Sequence, residues 1–378
     1  MSRSLLNSST EPLSDLATEL ARQTRANCHR ADAAVAGRFS MCGLLLRLRN
    51  LYKWETGLPP WREEAPELVL EWVDQREDLW EGLLDELDPR PLKLNGHGID
   101  PLDVDAVNQL IASEGLIYGA GLAGGMLPVF FLGRLQETRQ LNGLTVHTLG
   151  AEMSPDLYFM PGLRQGGTVY LRPAPLAYVL WDKVADPRAS QARFVKFGLK
   201  EYGLERGELL AHPSWEALET VLNGELQAVL WHEAGEAASG QEAGRVFTQA
   251  VSEHPFSEVE HFARGVKDLL ADTAPGGRLD AIIRERAAGA LGFYPAWLFG
   301  FPRLLFPEID AAVMEFMDDR DWAGIEEVRQ LGQARAREAL THLAKALEGG
   351  PGEDTQELVR REVILPMTGR RELPLDQV

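Results

Sequence analysis

Between Trp181 and Leu347 apolar residues recur at helical spacing in seven segments, over 189–202, 213–238, 240–251, 256–271, 277–291, 307–317 and 324–347. No other feature constrains the fold as strongly. Amphipathic helices in series bury their apolar stripes most readily against one another, so this region is expected to form a bundle-like helical body. Three more helical patterns open the chain, over 13–27, 39–54 and 62–87. Gly57 and the Pro59–Pro60 pair separate the last two, which implies a helical hairpin.

Short runs rich in Val, Leu, Phe and Tyr occupy Leu127 to Leu135, Leu144 to Leu149, Thr168 to Leu171 and Leu176 to Leu180. Asn142–Gly143, between the first two, is a strong hairpin signal. Asn95 to Asp100, NGHGID, reads as a loop that exposes His97. The expected fold class is therefore mainly α, a helical bundle-like body with a small antiparallel β insertion. Its parts are an N-terminal helical region over 1–126, the β region over 127–185, a C-terminal helical region over 186–348 and an irregular tail over 349–378.

Asp and Glu number 57 against 38 Lys and Arg, a formal net charge of -19 over 378 residues. Such an acidic protein is poorly suited to nucleic acid or anionic lipid, so neither is expected as a partner. Cys28 and Cys42 are the two cysteines, without metal-finger spacing, and fit a reducing, cytoplasmic setting. Cys42 reads as a small buried hydrophobe. Met1 to Thr10 lacks the apolar core of an export signal. Gly115 to Gly133 carries no formal charge over nineteen residues, but its six Gly and Pro128 favour a buried helix, or a turn feeding a strand, over a membrane span.

The chemistry-bearing residues gather in two helical segments. At roughly 100° per residue, Glu225, His232 and Glu236 fall within about 40° of one another, on the stripe that also holds Leu218, Leu222 and Val229. Carboxylates drawn into an apolar core need a partner, and a bound cation supplies one. Ser257 then caps a segment that sets Glu258 and His261 in the Glu-x-x-His spacing of carboxylate-bridged dimetal bundles, present here in a single copy.

These five residues, Glu225, His232, Glu236, Glu258 and His261, are the expected metal ligands. Iron or manganese suits mixed oxygen and nitrogen donors, and zinc suits them less. The aromatic segment from Leu291 to Asp310 offers Tyr294 as a wall against a small apolar substrate. Three readings follow. The first is a metal-dependent enzyme, an oxidoreductase by the choice of metal. The second is a helical scaffolding protein that binds another protein, with self-association into a homo-oligomer left open. The third is a degenerate zinc metallopeptidase with Glu233 as base, in which Glu236 stands where the second histidine belongs. The satisfied-core alternative pairs the acids with arginines and leaves His232 at a helix crossing.

Overall fold

The structure is a computed structural model that describes residues 12–94, 96–238 and 240–369. Met1 to Thr10 and Asn95 lie outside the described residues, and with them the expectations placed there. The chain divides into two compact units, one of residues 1–123 and 127–181, the other of 124–126 and 182–378.

The first unit begins with α1 (Asp15–Ala36), α2 (Met41–Glu55) and α3 (Pro66–Glu81). Ser14 and Ser40 cap the first two by accepting hydrogen bonds from Ala17 and Gly43. A two-stranded hairpin follows, β1 (Leu92–Leu94) with β2 (His97–Ile99), and then α4 (Val104–Leu110). His97 thus starts a strand, where the sequence suggested a loop.

The main sheet comprises β3 (Leu116–Leu122), β4 (Pro128–Leu141), β5 (Leu144–Glu152), β6 (Gly162–Gln165) and β7 (Thr168–Leu171) in the order β3-β4-β5-β7-β6. β5 and β7 run parallel and every other pair is antiparallel. Asn142 and Gly143 both take positive φ, the geometry that a two-residue hairpin turn demands. Register shifts around Leu135 bend β4. The sheet curls until Gly121 of β3 faces Leu163 of β6 so closely that a β-carbon there would lie 2.8 Å from the leucine.

The expectation of a mainly α fold with a small antiparallel insertion is corrected here. Helix makes up 63% of the protein, yet the sheet is a five-stranded, curled, mixed half-barrel, so the architecture is mixed α/β. The uncharged Gly115 to Gly133 stretch supplies its first strand. Leu176 to Leu180, read as a strand, lies inside α5 (Pro173–Ala185), because short apolar runs carry no period that separates a strand from a buried helix. Cys42 is exposed on the first turn of α2, whereas Cys28 is buried and its thiol donates to the Phe130 carbonyl at 3.2 Å.

Arg172, immediately after β7, holds the crossover in place. Its guanidinium reaches Glu152 at the end of β5 (2.7 Å) and Asp156 in the following loop (2.6 Å), all three side chains being sealed from solvent. Phe131 lies under it at 4.6 Å. Asp156 in turn accepts from the backbone of Tyr158 and Phe159, and Asp32 of α1 accepts from Leu157.

The second unit is helical: α6 (Ala192–Glu201), α7 (Arg206–Ala211), α8 (Trp215–Ala238), α9 (Gly240–Glu253), α10 (Glu258–Thr273), α11 (Arg278–Arg284), α12 (Ala288–Trp297), α13 (Gly300–Leu305), α14 (Glu308–Asp319) and α15 (Trp322–Ala346). Leu269, Leu291, Phe306, Val313 and Ala336 are among its core residues. The tail expected to be irregular carries α16 (Glu353–Val359), a π-helical turn over Arg360–Ile364 and α17 (Leu365–Thr368), with Val359, Val363 and Ile364 in the same core. Among the described residues, no helix is long and apolar enough to cross a membrane.

Replacing Arg172 by Met leaves two buried carboxylates without their counter-charge, at a cost of about 3–5 kcal/mol. Urea denaturation followed by circular dichroism is expected to show that loss.

Candidate metal centre

α8 and α10 pack against each other in antiparallel register, because His232 meets Asp272 while Glu236, one turn later, meets Lys267 one turn earlier. Gly235 permits the approach. A β-carbon at that position would stand 2.1 Å from the Ala271 carbonyl oxygen, so any larger residue forces the helices apart.

At this crossing the His232 Nδ1 lies 2.8 Å from Asp272 Oδ1, and its Nε2 lies 3.6 Å from Glu236 Oε1. Asp268 of α10 completes a group in which one donor atom each from His232, Glu236 and Asp268 lies within 4.8 Å of the others. The Lys267 ammonium donates to the same Glu236 Oε1 at 2.5 Å. All four side chains are half-buried, and Asp272 behind them is buried.

The electrostatics follow from that crowding. Burial lowers the affinity of His232 for a proton, but Asp272 and Glu236 overcome it and push its pKa well above the ordinary value. Burial raises Glu236, and the neighbouring imidazolium and ammonium reverse that, leaving it below the usual carboxylate range. Asp268 is pushed up to about 6, first by burial; Glu236 and Asp272 add to the rise and His232 and Lys267 oppose it.

The hydrogen bond from Nδ1 to Asp272 is the arrangement that fixes the tautomer of a metal-binding histidine and directs Nε2 outward. Ligands on a tetrahedral ion with bonds of about 2.1 Å stand roughly 3.4 Å apart, close to the separation of His232 Nε2 and Glu236 Oε1. The donor set fits a divalent cation.

Of the residues singled out by spacing, the structure brings together His232 and Glu236. Glu225 lies roughly 10 Å further along α8. It is enclosed by the Tyr202 hydroxyl (3.0 Å), the Trp297 indole N–H (2.6 Å) and Arg278 (3.7 Å), with its pKa raised to about 7 by burial against the pull of those groups. Its needs as a buried acid are met by protein.

Glu258 and His261 sit at the far end of α10, seven or more residues before Asp268. Glu258 pairs with Arg360 at 3.4 Å, and the His261 pKa is lowered by burial. Ser257 caps α10 as its sequence suggested, and the fully buried acid of that turn is Glu260, which accepts from Gly125, Phe256 and Arg264. Glu233 points about 100° away from His232 around α8 and is not in the donor group. Tyr294 is fully buried in α12 beneath Arg278 (5.3 Å), its hydroxyl pushed well above the ordinary value by burial and then by Asp272. It presents no surface to solvent.

Asp268 and Asp272 were missed by sequence reasoning. They share the i,i+4 spacing of His232 and Glu236, a signal present in the chain. The crossing register that sets the two pairs opposite one another has no sequence marker.

The class of protein is thus a two-unit mixed α/β chain with a His-Glu-Asp cluster in its helical unit. Residues 19–172 match the N-terminal domain of a family of unknown function, DUF6866, and residues 177–364 match the C-terminal domain of the same family. The chain belongs to this family. The two matched stretches meet close to where the two units divide. No curated protein and no solved structure matches the chain.

Gly235→Ala is expected to cost about 1–3 kcal/mol by overpacking and to separate His232 from Asp272. Heteronuclear NMR titration checks the second effect: the His232 pKa falls toward its ordinary value. Asp272→Asn is expected to lower that pKa as well, because it removes the charge that raises it most. A histidine with a raised folded pKa stabilises the fold fully below its unfolded pKa of about 6.5, and that stability is lost as pH climbs through the folded value. The wild type is therefore expected to lose more stability than Asp272→Asn between pH 6.5 and pH 9, measured by thermal unfolding.

Proposed function

We propose that this protein is metal-dependent and holds one divalent cation, iron or manganese, on His232, Glu236 and Asp268. The observation that carries the reading is the pairing of Asp272 with His232 Nδ1, which leaves Nε2 3.6 Å from the Glu236 carboxylate, in a group that Asp268 completes. One imidazole and two carboxylates form a mixed donor set suited to these ions. Three protein donors leave at least one further position on the ion for water or substrate, and the half-buried setting leaves solvent a path to it. Such an ion would supply Lewis-acid or one-electron chemistry, and the oxidoreductase reading of the sequence belongs to the second of these.

The chain's own residues do the rest. Asp272 orients the imidazole and stabilises its cationic form when no ion is bound. Loading requires His232 to be neutral and Asp268 to be ionised, so binding releases protons and strengthens as pH rises.

Isothermal titration with Mn²⁺ under anaerobic conditions tests the site. One ion per chain is expected for the wild type, with affinity rising from pH 5.5 to pH 8. His232→Ala and Asp268→Asn abolish binding, and Asp272→Asn weakens it about 10–100-fold. Glu225→Gln and His261→Ala leave it unchanged. Binding that survives the loss of both His232 and Asp268 would reject the assignment.

A further inference from the structure

Lys267 donates to the Glu236 carboxylate oxygen that faces the His232 imidazole. Glu236 Oε1 is the carboxylate oxygen lying 3.6 Å from His232 Nε2, and the ammonium sits 2.5 Å from that atom. A metal bonded to Oε1 at about 2.1 Å and an ammonium on the same oxygen stand no more than about 5 Å apart. Two cations at that distance in a half-buried site repel each other strongly. The ammonium also lies 4.7 Å from the centre of the Phe247 ring on α9, a face on which a cation is stabilised without a carboxylate. With 27% of its side chain exposed, Lys267 has room to move.

We propose that Lys267 is a tethered competitor for the cation position: its ammonium occupies Glu236 until a divalent ion displaces it toward the Phe247 ring. This inference rests on the metal reading above and adds its regulation. Because the competitor is part of the chain, its effective concentration at Glu236 is high and fixed. Monovalent ions gain too little from the cluster to dislodge it. A divalent ion gains from His232, Glu236 and Asp268 together and does dislodge it, so the site has a threshold and a built-in preference for the higher charge. Without a bound ion, the lysine offsets the charge of Glu236 and ties α10 to α8.

The test uses the full-length protein and Mn²⁺ alone, by isothermal titration, on the wild type, Lys267→Gln and Lys267→Arg, with Lys267→Met in place of the glutamine variant if that one does not fold. Removal of the charge is expected to tighten Mn²⁺ binding about tenfold or more, whereas Lys267→Arg stays near the wild type. Competition by 0.5 M K⁺ is expected to be measurable in Lys267→Gln and absent in the wild type. Equal or weaker Mn²⁺ binding by Lys267→Gln overturns the proposal while leaving the metal reading intact. Binding by Lys267→Gln alone, lost again in Lys267→Gln/Asp268→Asn, upholds the competitor and overturns loading of the wild type. Binding by none of the proteins overturns both.

Discussion

Two helices approach so closely at Gly235 that the Ala271 carbonyl occupies the space of a β-carbon, and the chemistry of the second unit depends on that contact. Only at this separation does an i,i+4 pair on α8 interleave with an i,i+4 pair on α10. A larger residue at the crossing would hold the side chains beyond hydrogen-bond reach, and each half-buried acid would then need water or a proton. A single missing side chain thus turns two ordinary acidic helix faces into one cluster. The same device recurs where α6 crosses α12, since a β-carbon on Gly292 would lie 2.7 Å from the Gly198 backbone.

The two units treat buried charge differently. In the first, Arg172 answers Glu152 and Asp156 directly, and the guanidinium lies over Phe131, so the charges tie a crossover loop to the sheet. In the second, three carboxylates, Glu236, Asp268 and Asp272, face His232 and Lys267 at the α8–α10 crossing among the described residues. Burial and mutual repulsion push Asp268 up to about 6, whereas Glu225, nearby on the same helix, is closed off by Tyr202, Trp297 and Arg278. Completed polar networks stabilise a fold. A network with surplus negative charge and partial access to solvent is suited to accept a cation.

The helices were legible wherever the apolar period ran for three turns or more, as in α8, α10 and α15. The Asn142–Gly143 turn was legible because only a few residue pairs tolerate two positive φ angles in succession. The half-barrel was not. Its first strand is written in glycines, and its curl brings Gly121 of one edge strand against the Leu163 side chain of the other, residues far apart in the chain. At the site, His232 and Glu236 could be found from spacing along one helix. Glu225 shared their stripe, but Tyr202, Trp297 and Arg278 come from other segments and claimed it. Glu258 and His261 had suitable chemistry on the right helix, at a level along it that the crossing does not reach.

Periodicity and composition alone determined that this chain forms long amphipathic helices, keeps an acidic surface and carries imidazole and carboxylate on one face of α8. These are local properties, set by side-chain spacing on a regular backbone. Tertiary structure decided which acids meet His232, because the crossing point and register of two helices depend on how closely their backbones can pack. That distance is governed by Gly235 against Ala271, a contact between residues 36 positions apart that no local pattern encodes.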